Sequence, residues 1–196
     1  LSINPATGSW YGPTFPQVTV RDQVRAQAAL ADHLGIGRWL ACVGGSMGGM
    51  LTLEWAITYP QRVRSVVAIA TTAAATPQQI AWSFAGRQAI VADHQFHDGW
   101  YYDKGEGNGP HRGLAAARVV GMIHYRSDDE FNRRFGRNSR SDVLRDGSMF
   151  DIERYLTYQS DKFVRRFDAN SYVVLNRMMD LHDVGRGRGG VDAALR

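Results

Sequence analysis

One cysteine, Cys42, is all the chain has in its 196 residues. A single thiol allows no intrachain disulfide, and no cysteine cluster can hold a metal. That usage suits a reducing compartment, so a cytoplasmic location is expected. Long hydrophobic runs are missing as well. No stretch approaches the roughly 20 apolar residues of a membrane-spanning helix, and the opening residues lack a signal-peptide pattern. No membrane partner is expected. No internal repeat and no low-complexity tract is visible. Charge of either sign is modest, with a formal net charge of +4. Arginines gather at Arg133, Arg134, Arg137, Arg140 and Arg145, and again at Arg165 and Arg166, interspersed with Asp128, Asp129, Glu130 and Asp142. This mixture reads as a solvated helical face with a modest attraction for an anionic substrate.

What is present is the composition of a protein that buries a core: 44% hydrophobic and 21% charged residues. The most informative stretch is Leu40-Ala41-Cys42-Val43-Gly44-Gly45-Ser46-Met47-Gly48-Gly49-Met50. An apolar run ends in Gly-x-Ser-x-Gly, and an amphipathic segment follows at once. A strand that turns sharply into a helix projects the serine hydroxyl from the sheet edge, the arrangement called a nucleophile elbow. The serine backbone is strained there, so its neighbours at two positions before and after must carry no clashing side chain. Cys42, on the apolar strand, reads as a small buried hydrophobe rather than a reactive thiol.

The flanking pattern supplies the context that this motif needs. Residues 1–16 read as an ordered loop rich in Pro, Gly, Ser and Asn. Thr19 and Asp22 resemble a capping box, and Val20, Val24, Ala28, Ala31 and Leu34 recur at helical spacing until Gly35. A strand is expected at 38–43, a helix at 47–59, and at 64–71 a strand buried on both faces. Helix, strand, helix, strand is the signature of a parallel sheet with crossover helices. From about residue 76 the pattern becomes helical. Helices are expected at 77–93, 113–125, 127–135, 151–167 and 169–181, a turn at 185–190, and a further start at 191. An all-helical insertion after a sheet strand reads as a lid over the strand ends.

Several separated motifs, in order, resemble the homoserine O-acetyltransferase family, α/β-hydrolase-fold enzymes of methionine biosynthesis. They are Ile3-Asn4-Pro5-Ala6-Thr7-Gly8, Phe15-Pro16 with Thr19-Val20-Arg21-Asp22, and Gly44-Gly45-Ser46-Met47-Gly48-Gly49 with Leu53-Glu54-Trp55-Ala56. Ser171-Tyr172 and the segment from His182-Asp183-Val184 through Gly185-Arg186-Gly187-Arg188-Gly189-Gly190 complete the set. The resemblance implies an α/β-hydrolase core over 1–75, a helical lid over 76–182, and a return to the core over 183–196. It also implies that the chain is the middle fragment of a longer enzyme. The triad aspartate and histidine are expected beyond residue 196, so the fragment alone is expected to be inactive.

By the same resemblance Ser46 is the nucleophile, and the backbone N–H of Met47 is half of the oxyanion hole. Acetyl-CoA is the co-substrate, no cofactor is bound, and L-homoserine accepts the acetyl group from an acyl-serine. Succinyl-CoA as donor, serine as acceptor, and water as acceptor in a serine esterase stay open as alternatives. A homodimer through the lid is the implied assembly. Arg118 and Tyr125, seven apart and thus on one helix face, match where the family places its substrate-binding arginine and tyrosine. A guanidinium can grip an amino-acid carboxylate through two parallel hydrogen bonds. The competing readings are a surface ion pair for Arg118 and simple packing for Tyr125.

Other signals are weaker. His182-Asp183 corresponds to the family's lid return rather than to its base, and His124 reads as a packed histidine. His94 and His97 beside Asp93 and Asp98 read as a solvated helix end, and no metal is expected. Gly185-x-Gly187-x-x-Gly190 spells a dinucleotide fingerprint without the required preceding strand. The same stretch resembles an RNA-binding RGG segment but occurs once, so no nucleic-acid partner is expected.

Overall fold

The computed structural model describes residues 2–105, 107–139 and 149–196. In chain order its regular elements are α1 (Val20–His33), β1 (Cys42–Gly45), α2 (Met47–Thr58), β2 (Val66–Ile69) and α3 (Pro77–Val91). Then follow α4 (His111–His124), α5 (Asp128–Phe135), α6 (Asp151–Val164), α7 (Ala169–Asp180) and α8 (Val191–Ala194). Arg140, Asp142 and Arg145 lie outside the described residues. The chain divides into two compact units. A core unit comprises Pro16–Ile80 and Val174–Arg196, and a helical unit comprises the residues up to Phe15 with Ala81–Val173.

In the core unit, the capping box at the start of α1 is formed. The Thr19 hydroxyl oxygen accepts from the Asp22 N–H, and the Asp22 carboxylate accepts from the Thr19 N–H at 2.9 Å. Such a cap contributes about 1 kcal/mol. The helical stripe buries Val24 and Ala28 against Trp55 and Val63. The Trp55 indole N–H donates to Gln27 Oε1 at 2.7 Å, tying α2 to α1. A second apolar cluster joins Val20, Met50 and Met178.

The two strands run parallel, with Cys42 opposite Val66 and Gly45 opposite Ile69. The strand before the serine lies further along the chain than the spacing predicts, and Trp39 keeps only an isolated parallel bridge to Val63. The larger difference is burial. A strand covered on both faces is expected at 64–71, yet all four residues of β2 are exposed, Ile69 by 53%. Among the described residues β1 is its only partner strand, so its β-branched side chains have apolar surface and no neighbour strand on the far edge. Beyond β2 the chain bridges antiparallel at Ala74 to Asp183. The Val184 N–H donates to Ala73 O at 2.9 Å and the Ala75 N–H to His182 O at 2.9 Å.

The helical unit is built on Ile90, Leu114, Ala117, Phe163 and Ala169, with Tyr101 among them. Tyr101 donates to the Asp168 carboxylate at 2.6 Å, and that carboxylate accepts from the Ser171 N–H at 2.8 Å, capping the start of α7. Asp93 accepts from the Gly113 N–H at 2.7 Å, joining the end of α3 to the start of α4. Arg133 and Arg134 are exposed on α5 or spread over aromatic rings, as a solvated arginine face requires. Among the described residues no helix is long and apolar enough to cross a membrane.

Candidate active site

Ser46 sits between β1 and α2 with φ 54° and ψ −120°, a left-handed conformation that L residues avoid. Its strain is held from several sides. The Ser46 N–H donates to Ile69 O at 2.9 Å, which anchors the turn to β2. Its carbonyl oxygen accepts from the Gly49 N–H at 2.9 Å and from the Thr71 hydroxyl at 2.8 Å. Gly44 and Gly49 are steric necessities, whereas a Cβ on Gly48, the position expected to exclude one two residues after the serine, would meet nothing within 4 Å. A Cβ on Gly44 would lie 2.2 Å from the Gly48 carbonyl oxygen, and one on Gly49 would lie 2.6 Å from Thr71 Cβ. A backbone held this way outside its preferred basin costs on the order of 1–3 kcal/mol, and such strain gathers at functional sites.

The result is chemical. The Ser46 side chain makes no capping hydrogen bond and the residue is exposed, so its hydroxyl is available for attack. Met47 is the first residue of α2. Its N–H belongs to the first turn, whose donors have no acceptor inside the helix and carry the positive end of the helix dipole. An N–H next to a nucleophile in that position is suited to an oxyanion.

His182 of the core unit is already engaged elsewhere and does not serve this serine. His182 is 4% exposed, and its Nε2 lies 3.0 Å from the Thr72 carbonyl oxygen. Burial lowers its pKa, opposed by the Thr72 hydrogen bond and the charge of Glu54. The ring therefore works as a neutral structural group at the return of the chain. In the helical unit His124 packs on Trp82, with ring centroids 5.7 Å apart. His94 Nδ1 lies 3.7 Å from Asp93 Oδ1 on an exposed ring.

Arg118 and Tyr125 both belong to the helical unit, Arg118 within α4 and Tyr125 as its C-terminal cap. The Arg118 guanidinium lies 4.9 Å from the Phe163 ring centroid, and among the described residues it forms no ion pair. Tyr125 is 65% exposed, with its ring centroid 5.9 Å from that of His124. Tyr172 feels the charge of both Arg118 and Tyr125, and its hydroxyl would lie 3.2 Å from a Cβ on Gly86. Burial and the nearby Tyr125 push the Tyr172 pKa up to about 12, while Arg118 and Arg87 pull it down. Tyr172 and Arg87 are missed by a reading of spacing alone. Ser171-Tyr172 gives the only hint, as part of a matching motif.

Also missed is a buried ionic knot in the core unit. Glu54, 1% exposed on α2, accepts from Arg21 Nε at 2.9 Å and from both Nη atoms of Arg188. Arg21 and Arg188 also donate to the Val184 carbonyl, at 3.1 and 3.0 Å. The signal was an acid inside the apolar run Leu53-Glu54-Trp55-Ala56. The glycine-rich stretch after it is a tight turn, as its composition implies. A Cβ on Gly185 would lie 2.3 Å from the Gly190 carbonyl carbon.

Comparison with known proteins supports this fold. The chain is 52% identical over 192 residues to the homoserine O-acetyltransferase of Carboxydothermus hydrogenoformans, covering 96% of this chain and 50% of that protein. It is 49% identical over 184 residues to the homoserine O-succinyltransferase of Halorhodospira halophila, covering 93% of this chain and 48% of that protein. The crystal structure of homoserine O-acetyltransferase from Bacillus anthracis superposes with a TM-score of 0.88 at 26% identity, covering 98% of this chain and 52% of that one. The chain spans about half the length of the curated relatives it matches. The profile of the alpha/beta hydrolase fold matches residues 3–182, most of the chain and both sides of the Ser46 elbow, and the chain belongs to that family.

Proposed function

We propose that the protein containing this chain transfers an acetyl group from acetyl-CoA to the hydroxyl of L-homoserine, through an acyl intermediate on Ser46. The observation that carries the reading is the strained, glycine-flanked Ser46 at the head of α2, in a chain about half identical to proteins named for that reaction. The Ser46 hydroxyl attacks the thioester carbonyl and its proton passes to a base. The Met47 N–H steadies the oxyanion, and the thiolate of CoA leaves and takes up the proton. Homoserine then attacks the acyl-serine in the reverse sense. One oxyanion donor contributes about 3 kcal/mol of barrier lowering.

Arg118 is assigned to the carboxylate of the acceptor, with Tyr125 and Tyr172 beside it. By the resemblance, the base and its orienting acid are assigned to residues outside this chain; His182 is bound to the Thr72 carbonyl. On that account the 196 residues alone do not turn over. The assembly that fits the resemblance is a homodimer through the helical unit, in the cytoplasm.

Transfer of a succinyl group is the second reading, because a homoserine O-succinyltransferase is 49% identical. The complete reading frame, weighed intact after incubation with acetyl-CoA or succinyl-CoA, separates the two. The expected result is an acetyl adduct that needs Ser46 and is discharged by homoserine. A succinyl adduct in its place supports the second reading, and rapid loss of acetyl to water without acceptor points to an esterase.

A further inference from the structure

Two neighbouring hollows in the helical unit share one wall, Arg166. The smaller, about 140 Å³, is lined by Arg118, Gln159, Lys162, Phe163 and Arg166. Its construction follows from spacing. Residues 159, 162, 163 and 166 fall at i, i+3, i+4 and i+7, a single stripe along and just past α6, and Arg118 arrives from α4. The guanidinium carbons of Arg118 and Arg166 lie 4.9 and 5.9 Å from the Phe163 ring centroid. Among the described residues none of the three cations is in an ion pair, and the buried Nε of Arg118 has no hydrogen-bond partner.

Three cations gathered round one small cavity repel each other, and a donor left unbonded there costs free energy. Lys162 and Arg166 at the end of α6 suit the negative end of the helix dipole, but that explains neither Arg118 nor its Nε. A bound anion in the hollow explains why Arg118, Lys162 and Arg166 gather round it. A lone carboxylate needs one guanidinium fork, whereas three cations and an amide match a phosphate dianion. The second hollow, a more open groove of about 480 Å³, has Tyr102, Phe167 and Asn108 on its walls beside Arg166. Aromatic faces with an amide nearby are what a purine base stacks on and bonds to.

We propose that these two hollows together form a nucleotide site, with phosphate held by Arg118, Lys162 and Arg166 and the base in the aromatic groove. This rests on the acyl-CoA reading, because that acyl carrier ends in a phosphorylated adenosine. Arg118 has five N–H donors, so one terminal nitrogen of its fork serves here while the other remains for the acceptor.

The test uses the complete reading frame and leaves Arg118 intact. Adenosine 3′,5′-bisphosphate, which lacks the pantetheine arm, is titrated calorimetrically into the wild type and into the Lys162→Met/Arg166→Met variant. Binding weakened at least tenfold in the variant is expected. Unchanged binding, or no binding to the wild type, overturns the site. Inorganic phosphate binding as tightly as the nucleotide overturns the groove as a base site. In steady state, the variant should raise KM for acetyl-CoA at least tenfold more than KM for acetyl-N-acetylcysteamine, a thioester without nucleotide. An equal rise for both overturns the proposal. If the nucleotide binds and the variant weakens it, but acetyl-CoA is not turned over, the site stands and the acyltransfer reading falls.

Discussion

Glu54 and Arg188 meet face to face inside the core unit, Arg188 Nη2 donating to Glu54 Oε1 at 2.5 Å and Nη1 to Oε2 at 3.1 Å. Glu54 belongs to the helix that Ser46 begins, and Arg188 to the glycine-rich turn that returns the chain. The fork also reaches Thr58 Oγ1 at 2.9 Å. Because the acid is 1% exposed, removing one guanidinium leaves a buried charge with a single cationic partner, Arg21, and the Thr58 hydroxyl at 3.2 Å. Arg188→Ala should therefore destabilise the full-length protein by about 3 kcal/mol, the low end for a broken buried pair. Arg188→Lys should recover little of it, since an ammonium cannot make the two parallel bonds. Urea unfolding of the two variants reads both outcomes, and a loss under 1 kcal/mol for Arg188→Ala would refute the knot as a stabilising element.

Ser46 combines strain and chemistry in one residue. Ser46→Ala should remove the acyl adduct and lower kcat by roughly a million-fold, the scale of a lost serine nucleophile. Ser46→Gly should be equally inactive, yet raise stability by about 1 kcal/mol, because glycine at φ 54° relieves strain that exceeds its own entropic cost. An inactive Ser46→Gly with lower stability than wild type would show that the elbow stores no strain.

The elbow, the capped α1 and most helix positions were legible in the sequence because each depends on local rules. The Gly44-x-Ser46-x-Gly48 spacing, the Thr19–Asp22 box and the period of Val20, Val24, Ala28 and Ala31 are each contained within one turn or one helix. What was not legible depends on partners far along the chain. The 64–71 run reads as a doubly buried strand, but burial is decided by neighbours, and β2 pairs only with β1 among the described residues. The helix expected at 151–167 stops at Val164, since Arg165 caps it and the chain must reach the Asp168 carboxylate that starts α7. Glu54, Arg21 and Arg188 lie up to 167 positions apart in sequence, and nothing in their spacing announces that three helical and turn residues will meet.

His182 gives the structure a pH dependence with a definite sign. Its folded pKa is lowered from the ordinary 6.5 by burial, so the native state binds fewer protons than the unfolded chain near and below that pH. Stability is then complete above about pH 6.5 and falls as the pH drops toward the lowered folded value, with a slope of at most about 1.4 kcal/mol per pH unit. Replacing the ring by His182→Gln should flatten the stability profile below pH 6.5. A profile with the same slope in both proteins would assign the acid sensitivity to the carboxylates instead.

Thr71 offers the sharpest separation of shape from hydrogen bonding at the elbow. Its hydroxyl donates to Ser46 O at 2.8 Å, while its Cβ and Cγ2 fill the space where a side chain on Gly49 would stand. Thr71→Ser keeps the donor and loses a methyl group, whereas Thr71→Val keeps the shape and loses the donor. The lost hydrogen bond is worth about 1 kcal/mol, and the carbonyl it supports belongs to the strained residue itself. Thr71→Val should therefore slow acylation of Ser46 by about fivefold to tenfold, the rate equivalent of about 1 to 1.4 kcal/mol, with KM for the acyl donor little changed. Thr71→Ser should stay within about twofold of wild type. The rate of covalent labelling of Ser46 by a fluorophosphonate measures this without any acceptor. A Thr71→Val rate equal to wild type, with Thr71→Ser the slower variant, would mean that Thr71 acts at the elbow only by filling space.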